Sequence, residues 1–208
     1  MKYQAVIFDL LSALLDSWSL WDEIAGSPEA GRRWRKAYLE LTYATGAYRP
    51  YEVLVAEAAE REGYPAVWSE ELARRYSELK PWPEAHEVLG RLAAKVPLAI
   101  VTNCSNPLAK VAVGQIGVPF EVIVTAEEVG FYKPDPRTYW AALKALGLEP
   151  GQALFVAGSA FDLVGTARVG IPTYWHNRVG LSLPPDTAPP LTTQTSLEPL
   201  LEFAGVNA

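Results

Sequence analysis

From Pro83 onward, short apolar runs rich in Val, Ile and Ala alternate regularly with segments of helical periodicity. The runs predict buried strands at residues 97–102, 121–125, 153–157 and 171–174. The segments between them predict four helices. Two lie at 84–95 and 160–169. The other two begin with a cap residue followed by proline: one starts after Asn106 with Pro107, and one starts after Asp135 and covers 136–146. Strands joined by helices of this length imply right-handed crossovers and therefore a parallel sheet.

The first apolar run, residues 3–8, predicts one more strand. A different pattern lies between this strand and the alternation that begins at Pro83. Residues 16–80 contain helical segments at 32–45, 52–61 and 69–79 and no convincing strand. Residues 181–196 are rich in Pro and Thr and are expected to be irregular, before a short helix at 197–203. The predicted class is α/β, with a Rossmann-like parallel sheet core flanked by helices (1–15 and 81–208) and an inserted helical cap subdomain (16–80).

Composition limits the kinds of protein this can be. The formal charge of −6 and the lack of a basic run argue against a nucleic-acid binder. A single cysteine forms no internal disulfide, no apolar stretch approaches the length of a membrane span, and no signal-peptide pattern is present. We therefore expect a cytoplasmic protein without membrane or nucleic-acid partners. Few Asn, Gln, Cys and Met against 17 Pro suggest a thermophilic source.

Polar side chains that could take part in catalysis follow several of the predicted strands. In open α/β sheets, ligands bind beyond the carboxyl ends of the strands. Carboxylates, a hydroxyl and an ammonium group gathered at one rim are the ingredients of covalent catalysis. The candidates are Asp9, Thr102, Asn103, Lys133, Ser159 and Asp162.

Four segments, in order, resemble the four motifs of the haloacid dehalogenase superfamily. The helical insert falls where that superfamily places its cap, and the resemblance covers nearly the whole chain. The segments are residues 8–16 (FDLLSALLD), 101–103 (VTN), 132–136 (YKPDP) and 155–162 (FVAGSAFD).

Three further matches resemble the L-2-haloacid dehalogenase branch. Residues 34–43 are similar to the cap helix that carries its halide-binding arginine, here Arg35. Tyr139 follows Lys133 by six residues, as in the lysine and tyrosine pair of that branch. Residues 177–180 (NRVG) resemble its Asn-Arg-x-Gly turn.

The resemblance implies a mechanism and a set of roles. Asp9 would attack the carbon of a small 2-halo carboxylic acid to form an ester, and halide would leave toward Arg35 and Asn103. Water would then hydrolyse the ester, with Lys133 and Asp162 as further catalytic residues and no metal cofactor. Substrate or halide binding would fall to Arg35, Thr102, Asn103, Tyr139 and Ser159. The resemblance also implies a homodimer.

The sequence departs from the motifs of the superfamily phosphatases and also from those of the dehalogenases. Superfamily phosphatases carry acidic residues where this chain has Leu11 and Gly158, which leaves only Asp9 and Asp162 for weak Mg²⁺ binding. Dehalogenases carry polar residues where this chain has Ala13 and Ala157, and Asn in place of Ser159. A Mg²⁺-dependent phosphatase-like hydrolase and a catalytically silent binding protein therefore stay open as alternatives.

Structural roles compete with the catalytic ones. Arg35 lies in a basic run that could be a solvated helix face, and Lys133 could be a solvated loop lysine. Asp9 and Thr102 could satisfy loop backbone, and Tyr139 could be core packing. Ser159 and Asp162 have the spacing of a capping box. Cys104 with a histidine, and aromatic residues lining a pocket between cap and core, are two further possibilities; the aromatic residues are Trp18, Trp21, Trp34, Tyr38 and Tyr43.

Overall fold

A six-stranded sheet, parallel throughout, forms the centre of the computed structural model, which describes residues 2–206. The strand order is β3-β2-β1-β4-β5-β6, which confirms the predicted α/β class. The strands are β1 (Ala5–Phe8), β2 (Leu98–Thr102), β3 (Val122–Thr125), β4 (Ala153–Ala157), β5 (Thr173–His176) and β6 (Thr192–Gln194).

Both faces of the sheet are buried, which explains the continuous apolar runs in the sequence. In β1, Val6 and Phe8 belong to one apolar cluster and Ile7 to the other. Residues of β2 and β4 alternate between the two clusters in the same way. Because successive side chains of a strand point to opposite faces, this alternation places helices on both sides of the sheet.

The helices follow the sequence prediction with four corrections. Helices α1 (Ser17–Ala25) and α7 (Ala126–Val129) have no predicted counterpart. The segment 69–79 divides into α4 (Val67–Arg74) and a 3₁₀ turn at Tyr76–Glu78. Helix α6 begins at Asn106, so that Ser105 rather than Asn106 is the cap residue. The helices are α1 (Ser17–Ala25), α2 (Pro28–Ala44), α3 (Tyr51–Arg61), α4 (Val67–Arg74), α5 (Ala85–Ala93), α6 (Asn106–Gly114), α7 (Ala126–Val129), α8 (Pro136–Leu146), α9 (Asp162–Val169) and α10 (Leu200–Ala204).

Strand β6 also departs from the expectation that residues 181–196 are irregular. It pairs in parallel with β5 at one edge of the sheet; Thr192 and Gln194 are half-buried and Thr193 is exposed. A short edge strand of this kind needs backbone hydrogen bonds but no apolar run, so hydrophobic periodicity does not reveal it.

Helices α1 and α2 pack at very short range. A Cβ on Gly31 would lie 2.7 Å from the Cα of Asp22, so only glycine permits this approach. Trp21 and Trp34 fill the space beside it, with ring centroids 4.2 Å apart. The Trp34 indole donates to the Val55 carbonyl of α3 at 2.9 Å. Of the helices within residues 2–206, none has the length and apolar character that crossing a bilayer requires.

Candidate active site

The strand order brings the loops after β1, β2 and β4 to one edge of the sheet. The chain runs outward from β1 through β2 to β3, then returns to the other side of β1 as β4. Such a reversal opens a crevice at the carboxyl ends of the strands. Asp9 follows β1 directly, and its backbone nitrogen donates to the Val156 carbonyl of β4 at 3.0 Å. Its side chain therefore enters the crevice at the centre of the sheet.

The carboxylate of Asp9 is buried and held at both oxygens. Its Oδ2 accepts from the Ser12 nitrogen at 3.0 Å, the Ser12 hydroxyl at 2.7 Å and the Ala13 nitrogen at 3.1 Å. Its Oδ1 accepts from Lys133 Nζ at 2.8 Å. Burial alone would raise the pKa of Asp9, but the Lys133 charge and the hydrogen bonds outweigh burial and lower it. Asp9 is therefore ionised at neutral pH.

Lys133 lies between two carboxylates. Its Nζ is 2.8 Å from Asp9 Oδ1 and 3.0 Å from Asp162 Oδ1, and all three side chains are buried. Burial alone would lower the pKa of Lys133, but the charges of Asp162 and Asp9 outweigh it and raise the pKa. Lys133 is therefore not a solvated loop lysine.

Asn103 positions Lys133 through two hydrogen bonds to its backbone. The Lys133 nitrogen donates to Asn103 Oδ1 at 2.7 Å, and Asn103 Nδ2 donates to the Lys133 carbonyl at 3.0 Å. An amide nitrogen carries two N–H groups, so one remains for a ligand. Tyr38 of α2 in turn donates to the Asn103 carbonyl at 3.0 Å. The loop after β2 thus fixes the lysine and is itself bonded to the helical insert.

Asp162, at the start of α9, is the second buried carboxylate. Its Oδ1 accepts from Lys133 and from the Tyr139 hydroxyl, the latter at 3.0 Å. Within the described chain, its buried Oδ2 has no hydrogen-bond partner. Burial, reinforced by the charge of Asp9 and opposed by Lys133, raises the pKa of Asp162 to about 6. Ser159 Oγ accepts from the Phe161 nitrogen at 3.3 Å and so satisfies a backbone N–H, as the structural alternative predicted. Asp162 does not complete a capping box, because its Oδ1 accepts from Lys133 and Tyr139 instead.

Arg35 is buried rather than solvated, with 8% of its surface exposed. Its guanidinium stacks on the Trp18 ring at 3.8 Å and donates to the Ser17 hydroxyl at 2.8 Å. That hydroxyl donates to the Leu11 carbonyl, two residues beyond Asp9. Among residues 2–206, no carboxylate lies within 4.0 Å of the guanidinium. A buried cation of this kind is well suited to an anionic ligand.

Thr102 and Cys104 face one another rather than a cavity. Thr102 Oγ1 lies 3.5 Å from Cys104 Sγ, and burial raises the pKa of Cys104 to about 12. His86 instead contacts the Ile116 carbonyl and His176 the Ala13 carbonyl. A cysteine–histidine pair therefore does not form in the part of the chain that the structure describes.

A cavity of about 50 Å³ lies against Asp9, beside a larger chamber of about 430 Å³. The small cavity receives Asn103, Lys133, Ser159 and Asp162 as predicted; Arg35, Thr102 and Tyr139 are not among its lining residues. The sequence predicted no site role for four further lining residues, and it named two aromatic ones only as pocket or packing candidates. These six residues are Leu11, Ser12, Leu39, Phe161, Tyr38 and Tyr43. Trp21 and Trp34 serve packing instead.

The donor set does not fit Mg²⁺, which prefers an octahedral cage of oxygen ligands. Both oxygens of Asp9 already accept from N–H and O–H donors, and Lys133 occupies the space between Asp9 and Asp162. A Cβ on Gly158 would lie 2.2 Å from the Ala13 nitrogen, so an acidic side chain has no room there. Within residues 2–206, no three His, Cys, Asp or Glu side chains are grouped so that they could hold a metal ion.

Comparison with known proteins supports one family. A family model described as haloacid dehalogenase-like hydrolase matches residues 3–170. An (S)-2-haloacid dehalogenase of Burkholderia cepacia is 30% identical over 85% of this chain and 84% of that protein. Another, of Pseudomonas putida, is 29% identical over 85% and 87%. A crystal structure of an L-2-haloacid dehalogenase, 28% identical, superposes with a TM-score of 0.85 over the full length of both chains. The chain therefore belongs to the haloacid dehalogenase-like hydrolase family.

Proposed function

We propose that this chain is a (S)-2-haloacid dehalogenase that works through an ester on Asp9 and needs no metal ion. The observation that carries the proposal is the contrast between two carboxylates that share Lys133. The pKa of Asp9 is lowered, whereas the pKa of Asp162 is raised to about 6 and its Oδ2 is unpartnered within the described chain. One environment suits a nucleophile and the other a general base. The names of the relatives support the substrate class.

In the first half-reaction, Asp9 Oδ1 attacks C2 of the 2-halo acid. A C–O bond forms, the carbon–halogen bond breaks, and the halogen leaves with the bonding electrons as halide. Arg35 supplies a buried positive charge that has no carboxylate partner within residues 2–206, and Asn103 retains one amide N–H. Both groups stabilise the halide as its charge develops.

In the second half-reaction, water attacks the ester carbonyl carbon of Asp9. Asp162 Oδ2 takes one proton from the water and returns it to the alkoxide oxygen as the bond to the acyl carbon of Asp9 breaks, so that the 2-hydroxy acid leaves. The second proton stays on the Asp9 carboxyl and then dissociates, because the pKa of Asp9 is lowered. Charge develops on Asp9 Oδ2, where the nitrogens of Ser12 and Ala13 already donate. The Ser12 hydroxyl, 2.7 Å from this oxygen, supplies the donor that the family pattern would lead us to expect from a threonine at position 13.

The helical insert at 16–80 acts as a cap in this scheme. Helix α2 contributes Tyr38, Leu39 and Tyr43 to the lining of the cavity at Asp9. Arg35 of the same helix does not line the cavity but interacts electrostatically with Asp9. A cap of this kind excludes bulk water during alkylation, which strengthens the charge interactions inside the site.

Halide release from the two enantiomers of 2-chloropropionate tests the proposal. We expect release from the (S) form only, unchanged by a chelator and lost in Asp9→Asn. Release that a chelator abolishes would favour a metal-dependent hydrolase. A protein that binds the acid but releases no more halide than Asp9→Asn would be a silent member of the family, and the proposed function would fail.

A further inference from the structure

The chamber beside the catalytic cavity is not required by the reaction at Asp9. At about 50 Å³, the catalytic cavity holds roughly three or four water-sized groups, enough for the reacting carbon and its polar substituents. The chamber, at about 430 Å³, lies within the range of sites that bind whole small molecules. Its volume therefore indicates space for a much larger part of a ligand than a methyl group.

The two spaces share a wall. Leu39 and Tyr43 of α2, with Ser159 and Phe161 of the loop before α9, line both of them. The rings of Tyr43 and Phe161 contact each other with centroids 4.2 Å apart. A substituent on the carbon that Asp9 attacks would leave the small cavity along these four side chains and reach the chamber.

The chamber has an apolar lining and charges near solvent. Trp18, Ala160, Val179 and Leu181 extend the apolar surface that begins at the shared wall. The charged lining residues are Arg32, Lys36 and Glu40, which are exposed residues of α2, and Asp22 of α1, which is half-buried. An apolar lining binds an alkyl or aryl group, whereas the described lining residues include no buried cation and no Asn or Gln amide for a phosphate or a sugar.

We propose that this chamber binds the apolar substituent of the substrate, so that the chain acts on 2-halo acids with side chains of several carbons in preference to 2-halopropionates. The inference rests on the proposed function. Each methylene that moves from water into the chamber is expected to raise kcat/KM roughly fourfold. Val179 and Leu181 belong to the segment after β5 and determine how long a substituent fits.

The test compares 2-bromopropionate, 2-bromobutanoate and 2-bromohexanoate with the wild-type enzyme and two variants. Val179→Trp fills the chamber. Leu183→Trp places the same indole side chain outside the lining, at a residue of matching exposure (37% for Val179, 38% for Leu183). We expect kcat/KM to rise with chain length in the wild type and Leu183→Trp, and to stay level or fall in Val179→Trp. A level series in the wild type, or an unchanged rise in Val179→Trp, would overturn the inference.

Binding of propionate and hexanoate by calorimetry gives a second readout that needs no turnover. If no halide is released from any substrate, the proposed function fails, but tighter binding of hexanoate that disappears in Val179→Trp would still support the chamber. Equal binding of the two acids would overturn it. So would a change in oligomeric state in Val179→Trp with no effect on chain-length preference, since the surface would then be a contact between copies of the chain.

Discussion

Gly158 and Ala13 lie so close together that a Cβ at position 158 would fall 2.2 Å from the Ala13 nitrogen. The next nearest atom would be the carbonyl carbon of Ser12, at 2.3 Å. Both are backbone atoms of the loop that donates to Asp9, so neither can rotate away as a flexible side chain would. The position where superfamily phosphatases carry an acid is therefore closed to any side chain in this protein, given the path of its 12–13 loop.

Replacing Gly158 with alanine tests this relationship. We expect Gly158→Ala to push the 12–13 loop away from Asp9, to lower kcat for halide release at least tenfold and to destabilise the fold by about 1–3 kcal/mol. Gly151→Ala is the control, because no atom lies within 4 Å of its Cβ position and its backbone is not left-handed. Urea unfolding and halide assays on both variants provide the measurement. If the two variants have the same stability and the same rate of halide release, the 12–13 loop moves aside without loss of stability or activity.

Removal of Lys133 leaves two buried carboxylates without their shared cation. We expect Lys133→Met to abolish turnover and to lower the free energy of unfolding at pH 7 by about 3–5 kcal/mol. Without the ammonium, the pKa of Asp9 and of Asp162 in the folded state would exceed the unfolded value. Stability would therefore recover as pH falls through the raised pKa values, because the protonated carboxyls need no cation.

Urea unfolding at pH 5 and pH 7 measures this effect. Lys110→Met, which removes an exposed lysine of α6, is the control and should lose little at either pH. A Lys133→Met variant that is equally destabilised at both pH values would contradict the assigned cause.

The sheet was predictable because its strands are buried on both faces. Continuous apolar runs mark β1, β2 and β4, and β4 occupies the predicted residues 153–157. Helix α1 was not predictable from periodicity, because its nine residues depend on the Asp16 cap and on contact with Gly31 of α2. That contact exists only once the tertiary fold has formed.

The sequence motifs predicted the individual charged residues of the site but not the residues that contact them. Asp9, Lys133 and Asp162 follow from the motifs and lie within hydrogen-bond distance as a group. The partners of these residues did not follow from the motifs. Ser12 donates to Asp9 because of the path of its loop, and Ser17 meets Arg35 because α1 packs on α2.

Asp162→Asn should separate the two half-reactions. An amide cannot take a proton from water, whereas Asp9 keeps its carboxylate and Lys133. We expect one equivalent of halide per site, followed by a stall and an increase in protein mass that corresponds to the 1-carboxyalkyl group of the substrate. Mass spectrometry of the quenched protein detects the ester at Asp9. Full turnover by Asp162→Asn would remove Asp162 from the role of general base.

Alkylation and ester hydrolysis should also differ in how their rates depend on pH. The pKa of Asp162 is raised to about 6 in the free protein, partly by the negative charge of Asp9. Ester formation removes that charge while Lys133 stays, so the pKa of Asp162 in the ester lies below about 6. Ester hydrolysis should therefore slow as pH falls through this range, because the base becomes protonated. Alkylation should continue, because the pKa of Asp9 is lowered.

Rapid-quench measurements at pH 5 and pH 8 test this division. At pH 5 we expect a burst of halide release followed by a slower steady state, and at pH 8 a smaller difference between the two phases. Loss of the burst itself at pH 5 would place the titrating group in alkylation rather than in hydrolysis.

Tyr139 offers a way to move this pH profile without touching the reacting atoms. Its hydroxyl donates to Asp162 Oδ1 at 3.0 Å, and this hydrogen bond lowers the pKa of Asp162. Tyr139→Phe should therefore raise the pKa of Asp162 and shift the acid limb of steady-state turnover upward by about 0.5–1 pH unit. The ring should stay in place, because it packs against Phe155 at 5.3 Å and closely against Gly165. Tyr64→Phe, in the helical insert, is the matched control; a limb that moves equally in both variants, or in neither, would show that the Tyr139 hydroxyl does not tune Asp162.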